Sequence, residues 1–458
     1  MLHQVDSLLK IFRTESFSLL CLLAAGSAYG CAKPTPNGPQ AFIEWTSENL
    51  ISVENLDTPF QESEFALFRH AIGNAQVVGL GDSRHDTREQ HLLKAFLTRH
   101  LIEDLGFRVF IFEESFPHAE SLDRYVTSGK GDLRALMNGL AGWYLWDTEE
   151  MLELIQWIRH FNEGRRRADQ VRIFGMDITA PAPGIHEVLE FVEAAGLDVK
   201  LDAQALGLDL QEGDFWPRSW QRYTALSDER RLELTENYDR LIELLREQRS
   251  RLTAVSSGTE YERISLLAEI GQMGNALFSS TDRVEGGLIR ERGMARITLR
   301  ILNRETPGER TIIWANNLHV ARTGFRMPEL AEGTLKPMGI LLSEELGEAY
   351  LGIGGTFGEG AYPPGVPPGE RVFETVSEEI MDGALSKVGV PCFLIDLRGV
   401  PENSGAAGWL QREREWRAQD SRALLVPSAG FDLVYFVNSI SRSQPTPLAL
   451  QRYRSLEE

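Results

Sequence analysis

Acidic and imidazole side chains stand directly after several apolar runs of this sequence. They are Asp82 and His85, then Glu113 and Glu114, then Asp177, and finally His319, which is accompanied by the amide of Asn316. If the apolar runs form parallel strands, their carboxyl ends share one edge of a sheet, where open α/β sheets bind ligands. We therefore expect these side chains to converge on one centre.

A histidine beside carboxylates can take a proton from water, since a carboxylate fixes the ring tautomer and stabilises the imidazolium. Asp82 would either orient His85 in this way or merely cap its turn. A second histidine, His319, can act as a donor to a carbonyl or to a leaving alkoxide. No serine or cysteine nucleophile is well placed, so the pattern favours direct attack by water. Two histidines with carboxylates are also acceptable ligands for a divalent metal, and that alternative stays open.

The elements that must position these groups can be read from apolar periodicity. After the strand 76–81 and a glycine-loosened turn, Thr87 and Gln90 have the spacing of a capping box and begin a helix. Further strands are predicted at 108–112, 171–176, 311–315, 349–356, 391–397 and 431–437. Between about 188 and 283 only helical spacing appears. The pattern predicts an α/β fold with a mostly parallel sheet flanked by helices and a helical insertion, or cap, in mid-chain.

Composition excludes several classes of partner. The net charge of −20 and the pI near 5.0 argue against nucleic acid and against adsorption to anionic lipid. The sequence contains no Walker loop, GxSxG elbow, HExxH motif or paired CxxC. We expect no cofactor and no protein partner, and a small molecule as the substrate.

The N-terminus has the features of an export signal. Lys10 and Arg13 precede a short apolar run, and small residues follow up to Cys31. We predict a signal peptide over 1–30, a Pro-rich linker over 31–40 and one domain over 41–458. The residues before Cys31 resemble a lipoprotein cleavage box, so Cys31 is a possible membrane tether. The expected location is periplasmic or membrane-anchored.

The chain resembles the erythromycin esterase family in segments that occur in order along it. These are VGLGDSRH at 78–85, EDLGFR at 103–108, FE at 112–113, FGMD at 174–177, RGMA at 292–295, WANNLHV at 314–320, PMG at 337–339, LGEAY at 346–350 and FLIDLR at 393–398. The resemblance implies a metal-independent hydrolase in which His85 is the general base toward water. It also implies that Glu113 holds this water and that His319 assists at the carbonyl or leaving group. The bond cleaved by well-known members is a macrolide lactone ester.

Besides Asp86, which stands where the family often has Gly or an apolar residue, this sequence departs from the family pattern at three positions. Asp82 stands where the family has Glu, Asn316 stands for the first histidine of His-Asn-x-His, and Lys94 stands for an arginine. These changes leave open a binding or scaffold lipoprotein without turnover. The histidines and carboxylates leave open a metal-dependent hydrolase at the same strand ends.

Five residues are expected to bind the substrate: Lys94, Asn316, Asp177, Glu114 and Arg292. Asp177 and Glu114 would otherwise be helix-capping acids. Arg292 would anchor a carboxylate of the pocket or form an ion pair between helices.

Overall fold

The computed structural model describes residues 38–197, 200–211, 216–329, 332–363 and 369–457. The predicted signal peptide and Cys31 lie outside these ranges, as does most of the predicted linker. The first helix begins at Pro39, so residues 39 and 40 belong to the folded domain and not to the linker. Within the described ranges, no helix is both long and apolar enough to cross a membrane.

A central sheet is built from strands that match all seven predicted ranges. The strands of the structure are β1 (Ile51–Ser52), β2 (Val77–Leu80), β3 (Val109–Ser115), β4 (Arg172–Asp177), β5 (Thr311–Trp314), β6 (Tyr350–Tyr362), β7 (Arg371–Phe373), β8 (Cys392–Asp396), β9 (Arg414–Ala418), β10 (Ser421–Leu425) and β11 (Leu433–Ile440). The order is β1-β8-β11-β6-β2-β5-β3-β4, with β7 beside β6, while β9 and β10 form a separate hairpin.

The middle of the sheet is parallel, as predicted. Strands β11, β6, β2, β5, β3 and β4 pair in parallel, whereas β8 runs antiparallel to β11 and to β1. The carboxyl ends of β2, β3, β4 and β5 therefore meet at one edge, which is the arrangement that the polar residues after these strands require.

Both faces of the sheet are covered, so its strands are apolar on both sides. Val109 and Ile111 face one hydrophobic core, whereas Phe110 and Phe112 face the other. This alternation follows from the two-residue period of a strand. It explains why the strands appear in the sequence as continuous apolar runs that end where polar residues begin.

Helices flank the sheet and also fill the segment between β4 and β5. They are α1 (Pro39–Asn49), α2 (Glu62–Ile72), α3 (Arg88–Glu103), α4 (Phe116–Ser128), α5 (Leu133–Asn138), α6 (Trp143–Trp146), α7 (Glu149–Asn162), α8 (Ala182–Ala194), α9 (Trp216–Thr224), α10 (Asp228–Glu247), α11 (Arg249–Val255), α12 (Gly258–Ser279), α13 (Arg283–Arg300), α14 (Asn317–Val320), α15 (Met338–Leu346), α16 (Met381–Ser386), α17 (Gly405–Leu410), α18 (Pro427–Gly430) and α19 (Pro447–Glu457).

The helical segment between β4 and β5 is longer than the predicted insertion at about 188–283. It begins with α8 at Ala182 and runs through α13 to Arg300. Helix α12 packs on α8, and α13 packs on both α12 and β4. The segment therefore contacts the sheet through α13.

Candidate active site

The turn after β2 holds His85 beside the sheet edge. The backbone N–H of Ser83 donates to Oε1 of Gln90 at 3.1 Å, which ties the turn to the first turn of α3. The predicted capping box does not form, because Gln90 is used in this way and the Thr87 hydroxyl lies 3.0 Å from the Tyr362 hydroxyl instead. Thr87 is still the residue at which α3 begins.

Asp82 is a fully buried carboxylate at the end of β2 and contacts three polar side chains. Lys94 donates from Nζ to Oδ2 at 2.5 Å, and Nδ1 of His85 lies 3.1 Å from Oδ1. Asn316 donates from Nδ2 to Oδ1 at 3.3 Å. Burial by itself would raise the pKa of Asp82, but the charges of Lys94 and His85 outweigh it and hold this pKa below its ordinary value. Asp82 is therefore an ionised partner for the imidazole.

Glu113 lies between the two histidines. Its Oε2 is 3.5 Å from Nε2 of His85, and its Oε1 is 3.0 Å from Nε2 of His319. The register of β3 against β4 shifts between Phe112 and Ser115. Such bulges redirect side chains next to active sites. The register shift in β3 lies where the Glu113 side chain turns toward His85 and His319.

The short helix α14 brings His319 to the end of β2. The Asn316 side chain caps this helix, and the Asn316 backbone N–H donates to Oε2 of Glu113 at 3.0 Å. A Cβ atom on Gly81 would collide with the side chain of Asn317. Glycine at position 81 therefore permits the close approach that brings the second imidazole to the first.

Arg290, on α13, joins the mid-chain helices to this cluster. Its Nη2 donates to Oε1 of Glu113 at 2.8 Å and to Oδ2 of Asp177 at 2.7 Å. Its Nη1 lies 3.3 Å from Nε2 of His319. The guanidinium thus balances carboxylates near the carboxyl ends of two neighbouring strands, and it holds α13 against the sheet edge.

The charges of the cluster determine its protonation. Burial by itself would lower the pKa of His85, but Asp82 and Glu113 outweigh it and raise this pKa to about 9. Burial opposes the charged form of His319 as well, and Glu113 and Glu291 raise its pKa to about 10. Burial would raise the pKa of Glu113, yet the two imidazoles hold it well below its usual range. Proton loss from a ring therefore occurs on the alkaline side of neutrality.

A cavity of about 490 Å³ opens beside the cluster. Its lining comes from strand ends, from α6 and from the mid-chain helices, and includes His85, Glu113, Glu114, Asp177, Tyr144, Trp146, His186, Ser219 and Arg290. The helical segment between β4 and β5 thus supplies part of the wall through α8, α9 and α13, although the α8 and α13 residues concerned lie outside the predicted insertion at about 188–283. Polar groups at one end and aromatic rings along one side are typical of small-molecule sites.

Glu114 fixes the aromatic wall of this cavity. The backbone N–H groups of Ala141 and Gly142 donate to its carboxylate at 3.2 and 2.9 Å. Burial raises its pKa to about 8 against the effect of these donors. The turn that Glu114 holds leads into α6, whose Trp146 ring lies edge-on to His85 with 5.2 Å between ring centroids.

Three of the residues expected to bind substrate do not line the cavity. Lys94 is completely buried and contacts Asp82. Asn316 donates its side-chain amide to Asp82 and its backbone N–H to Glu113. Arg292 does not contact the cavity, contrary to the prediction. Its side chain is 55% exposed and pairs with Glu285, because its position on α13 points it toward solvent.

Arg290 and Glu291 were not expected from the sequence. A signal for Arg290 exists in helical spacing, since Arg290 shares one face of α13 with the buried residues Gly286, Gly293 and Ile297. A charged residue on an otherwise apolar helix face indicates a buried partner. That spacing does not identify the partners, which lie on β3 and β4.

The charged groups of the cluster lie within ion-pair distance of one another and of Lys94 and Arg290. In the parts of the chain that the structure describes, no group of three or more His, Cys, Asp or Glu side chains is placed to hold a metal ion.

A comparison with known families decides the affiliation. The family profile described as erythromycin esterase matches residues 102–441, well over half of the chain. The protein belongs to the erythromycin esterase family. An Escherichia coli erythromycin esterase type II is 25% identical over 392 residues, which cover 79% of this chain and 90% of that relative. Membership in this family supports a hydrolase.

Solved structures show that the fold is shared with other proteins. A Bacillus cereus protein superposes with a TM-score of 0.73 at 21% identity, covering 90% of this chain and 100% of that one. A mutant of the erythromycin esterase EreC in its open conformation superposes with a TM-score of 0.67 at 20% identity, covering 86% and 98% of the two chains.

The departures from the erythromycin esterase pattern lie together in the structure. Asp82, Lys94 and Asn316 form one set of contacts on the Nδ1 side of His85. The carboxylate of Asp82, which is one methylene shorter than that of Glu, contacts Lys94 and Asn316 directly. His85 therefore keeps an acidic partner despite the three changes.

Proposed function

We propose that this protein hydrolyses a carboxylic ester or lactone of a small molecule, with His85 as the general base toward water and without a covalent intermediate. The observation that carries the proposal is the position of Glu113 between the Nε2 atoms of His85 and His319, at the wall of one cavity. Family membership supports the same class of reaction.

In the proposed reaction, the His85 ring accepts a proton and the His319 ring donates one. Water lies against Nε2 of His85 and Oε2 of Glu113, gives one proton to His85, and bonds through its oxygen to the carbonyl carbon. The C–O bond to the alcohol part then breaks, and the alkoxide takes a proton from Nε2 of His319. The products are an acid and an alcohol, and passage of one proton from His85 to His319 restores the starting state.

The protonation of the pair agrees with these roles. The reactive form needs a neutral His85 and a protonated His319. Against the effect of burial, the carboxylates of Glu113 and Glu291 raise the pKa of His319 to about 10, which favours its protonated form. Asp82 orients the base through Nδ1.

The test is a panel of esters and lactones, including a macrolide, assayed with the wild type and with His85→Ala. His70→Ala, which changes an exposed histidine on α2, is the matched control. We expect turnover in the wild type and the control, and a loss on the order of 10²–10⁴-fold in His85→Ala.

The same panel separates the alternatives. Activity that is lost in a chelator and restored by a divalent cation would move the assignment to a metal-dependent hydrolase. The absence of turnover on every ester and lactone in a folded wild type would favour the scaffold, for which the Asn316, Lys94 and Asp82 replacements are the best support.

We further propose that the protein is exported and that Cys31 tethers it to a membrane. The support is the apolar N-terminal run followed by small residues and a cysteine. Fractionation of cells that express the wild type or Cys31→Ser tests this: the wild type should be found with membranes, and the variant should be found in the soluble fraction.

A further inference from the structure

Glu291 holds the side of His319 that faces away from Glu113. Its Oε1 lies 2.6 Å from Nδ1 of His319, and its Oε2 accepts the backbone N–H of Met338 at 2.8 Å. Both carboxylate oxygens are therefore engaged, one with the ring and one with the first turn of α15. A carboxylate held at both oxygens has little freedom to leave the ring.

The arrangement repeats the one around His85. There, Asp82 lies 3.1 Å from Nδ1 and Glu113 faces Nε2. At His319, Glu291 faces Nδ1 and Glu113 again faces Nε2, at 3.0 Å. The two rings thus stand on either side of one shared carboxylate, and each has its own outer carboxylate.

We propose that Glu291 is the positioning residue of His319, which keeps the ring protonated at Nδ1 and presents its Nε2–H to Glu113, a residue that lines the cavity. The catalytic part of this inference rests on the proposed hydrolase function, because it assigns to Glu291 the orientation of the proposed acid. The structural part, the tautomer and charge of His319, does not depend on turnover.

The charged groups around His319 explain why an outer carboxylate is needed. Glu113 of β3 attracts the ring proton, but Arg290 of α13 places Nη1 3.3 Å from the same Nε2. Asp177 of β4 pairs with Arg290 and does not contact the ring. Without Glu291, a neutral ring could accept a hydrogen bond from Arg290 through Nε2, and Nδ1 would have no acidic partner.

The test uses Glu291→Gln in the full chain, with Glu285→Gln as the matched control. Glu285 is on the same helix, but it is exposed and pairs only with Arg292 among the described contacts. The glutamine keeps an oxygen that can accept from Met338 but loses the charge. Protein labelled with ¹⁵N at histidine gives the titration of His319, which is assigned with His319→Gln.

We expect the titration midpoint of His319 to fall in Glu291→Gln and to stay unchanged in Glu285→Gln. We also expect kcat on an active ester to fall by on the order of ten- to a hundredfold with KM retained. The alkaline limb of the pH profile should move to lower pH. A role limited to packing would lower the melting temperature and leave the midpoint and the alkaline limb in place, which would overturn the proposal.

The wild type alone provides a second measurement, should the variant fail to fold. The ¹⁵N shifts of His319 must show a protonated Nδ1 whenever the ring is neutral, and a bare Nδ1 would overturn the proposal. If the wild type cleaves no ester or lactone but shows this tautomer, the hydrolase function fails while the positioning by Glu291 stands.

Discussion

Asp82 and Asp382 are both completely buried carboxylates paired with cations, yet only Asp82 belongs to the candidate site. Asp382 accepts from Nη1 of Arg422 at 2.6 Å and from the Thr356 hydroxyl, and Nε of Arg417 lies 3.6 Å away. Burial raises the pKa of Asp382, and its two arginines oppose this without reversing it.

The difference lies in the partners. An arginine does not lose its proton in a protein, so the Asp382 group can stabilise packing but cannot move a proton. Asp82 is paired with Lys94 and also with His85, whose ring lines the cavity. A buried ion pair is therefore weak evidence of function by itself. A titratable partner at a cavity is what distinguishes the site.

The largest effect is expected for Glu113→Gln, which removes the charge between the two imidazoles. We expect kcat/KM to fall by on the order of 10²–10⁴-fold, because neither ring then keeps its charged partner at Nε2. Asp382→Asn, by contrast, should weaken folding and leave the kcat of the folded fraction unchanged. Ester assays combined with urea unfolding measure both, and equal losses of kcat would end the distinction between the two aspartates.

Lys94→Met is expected to reduce the free energy of unfolding by about 3–5 kcal/mol, because Asp82 then loses its completely buried ammonium partner and keeps only the His85 ring. Arg422→Met should have a smaller effect, since Asp382 keeps Arg417 and Arg422 is partly exposed. Urea denaturation of the two variants tests this. If the free energy of unfolding falls more in Arg422→Met than in Lys94→Met, the prediction that the Lys94–Asp82 pair contributes more to stability is wrong.

The pH dependence of kcat/KM in the wild type tests whether the site depends on proton exchange at His85 and His319. Since His85 must be neutral, kcat/KM should rise by about tenfold per pH unit toward the pKa of about 9. It should fall again as His319 loses its proton near 10. A profile that is flat from neutral pH to pH 9 would contradict the assignment of His85 as the base.

Stability should also depend on alkaline pH. The pKa values of both histidines are raised from 6.5 to about 9 and about 10, so their stabilisation is complete below about pH 6.5 and is lost as the pH rises through these values. The Asp382 group contributes nothing in this window, because its arginines stay charged. A double variant, His85→Gln with His319→Gln, should show a smaller alkaline loss in urea unfolding, and an equal loss would refute this origin.

The smallest effect is expected for Arg292→Gln. This exposed side chain pairs with Glu285 at the surface, so its loss should change the free energy of unfolding by less than about 0.5 kcal/mol and leave kcat/KM intact. Arg290→Gln, two residues earlier, is the counterpart. It should lower kcat/KM because Glu113 and Asp177 lose their shared cation.

The main strands and the residues of the cluster that lie at strand ends could be predicted because their signals are local. A strand buried on both faces must be apolar throughout, so its end is marked by the first polar residues. His85 and His319 follow such ends closely, Glu113 lies near the carboxyl end of β3, and the parallel order of β2, β3 and β5 brings them to one edge. The short strands β1, β7, β9 and β10 were missed, since short and half-exposed strands carry little apolar pattern.

The sequence by itself determined which side chains stand at the ends of the buried strands, because an apolar run and its polar boundary depend only on neighbouring residues. Only the tertiary structure decided that Lys94 lies under Asp82 and not in the cavity, and that α13 turns Arg290 and Glu291 inward and Arg292 outward. The reason is physical: these contacts join residues far apart in the chain, and packing of the helices on the sheet selects which face meets the site.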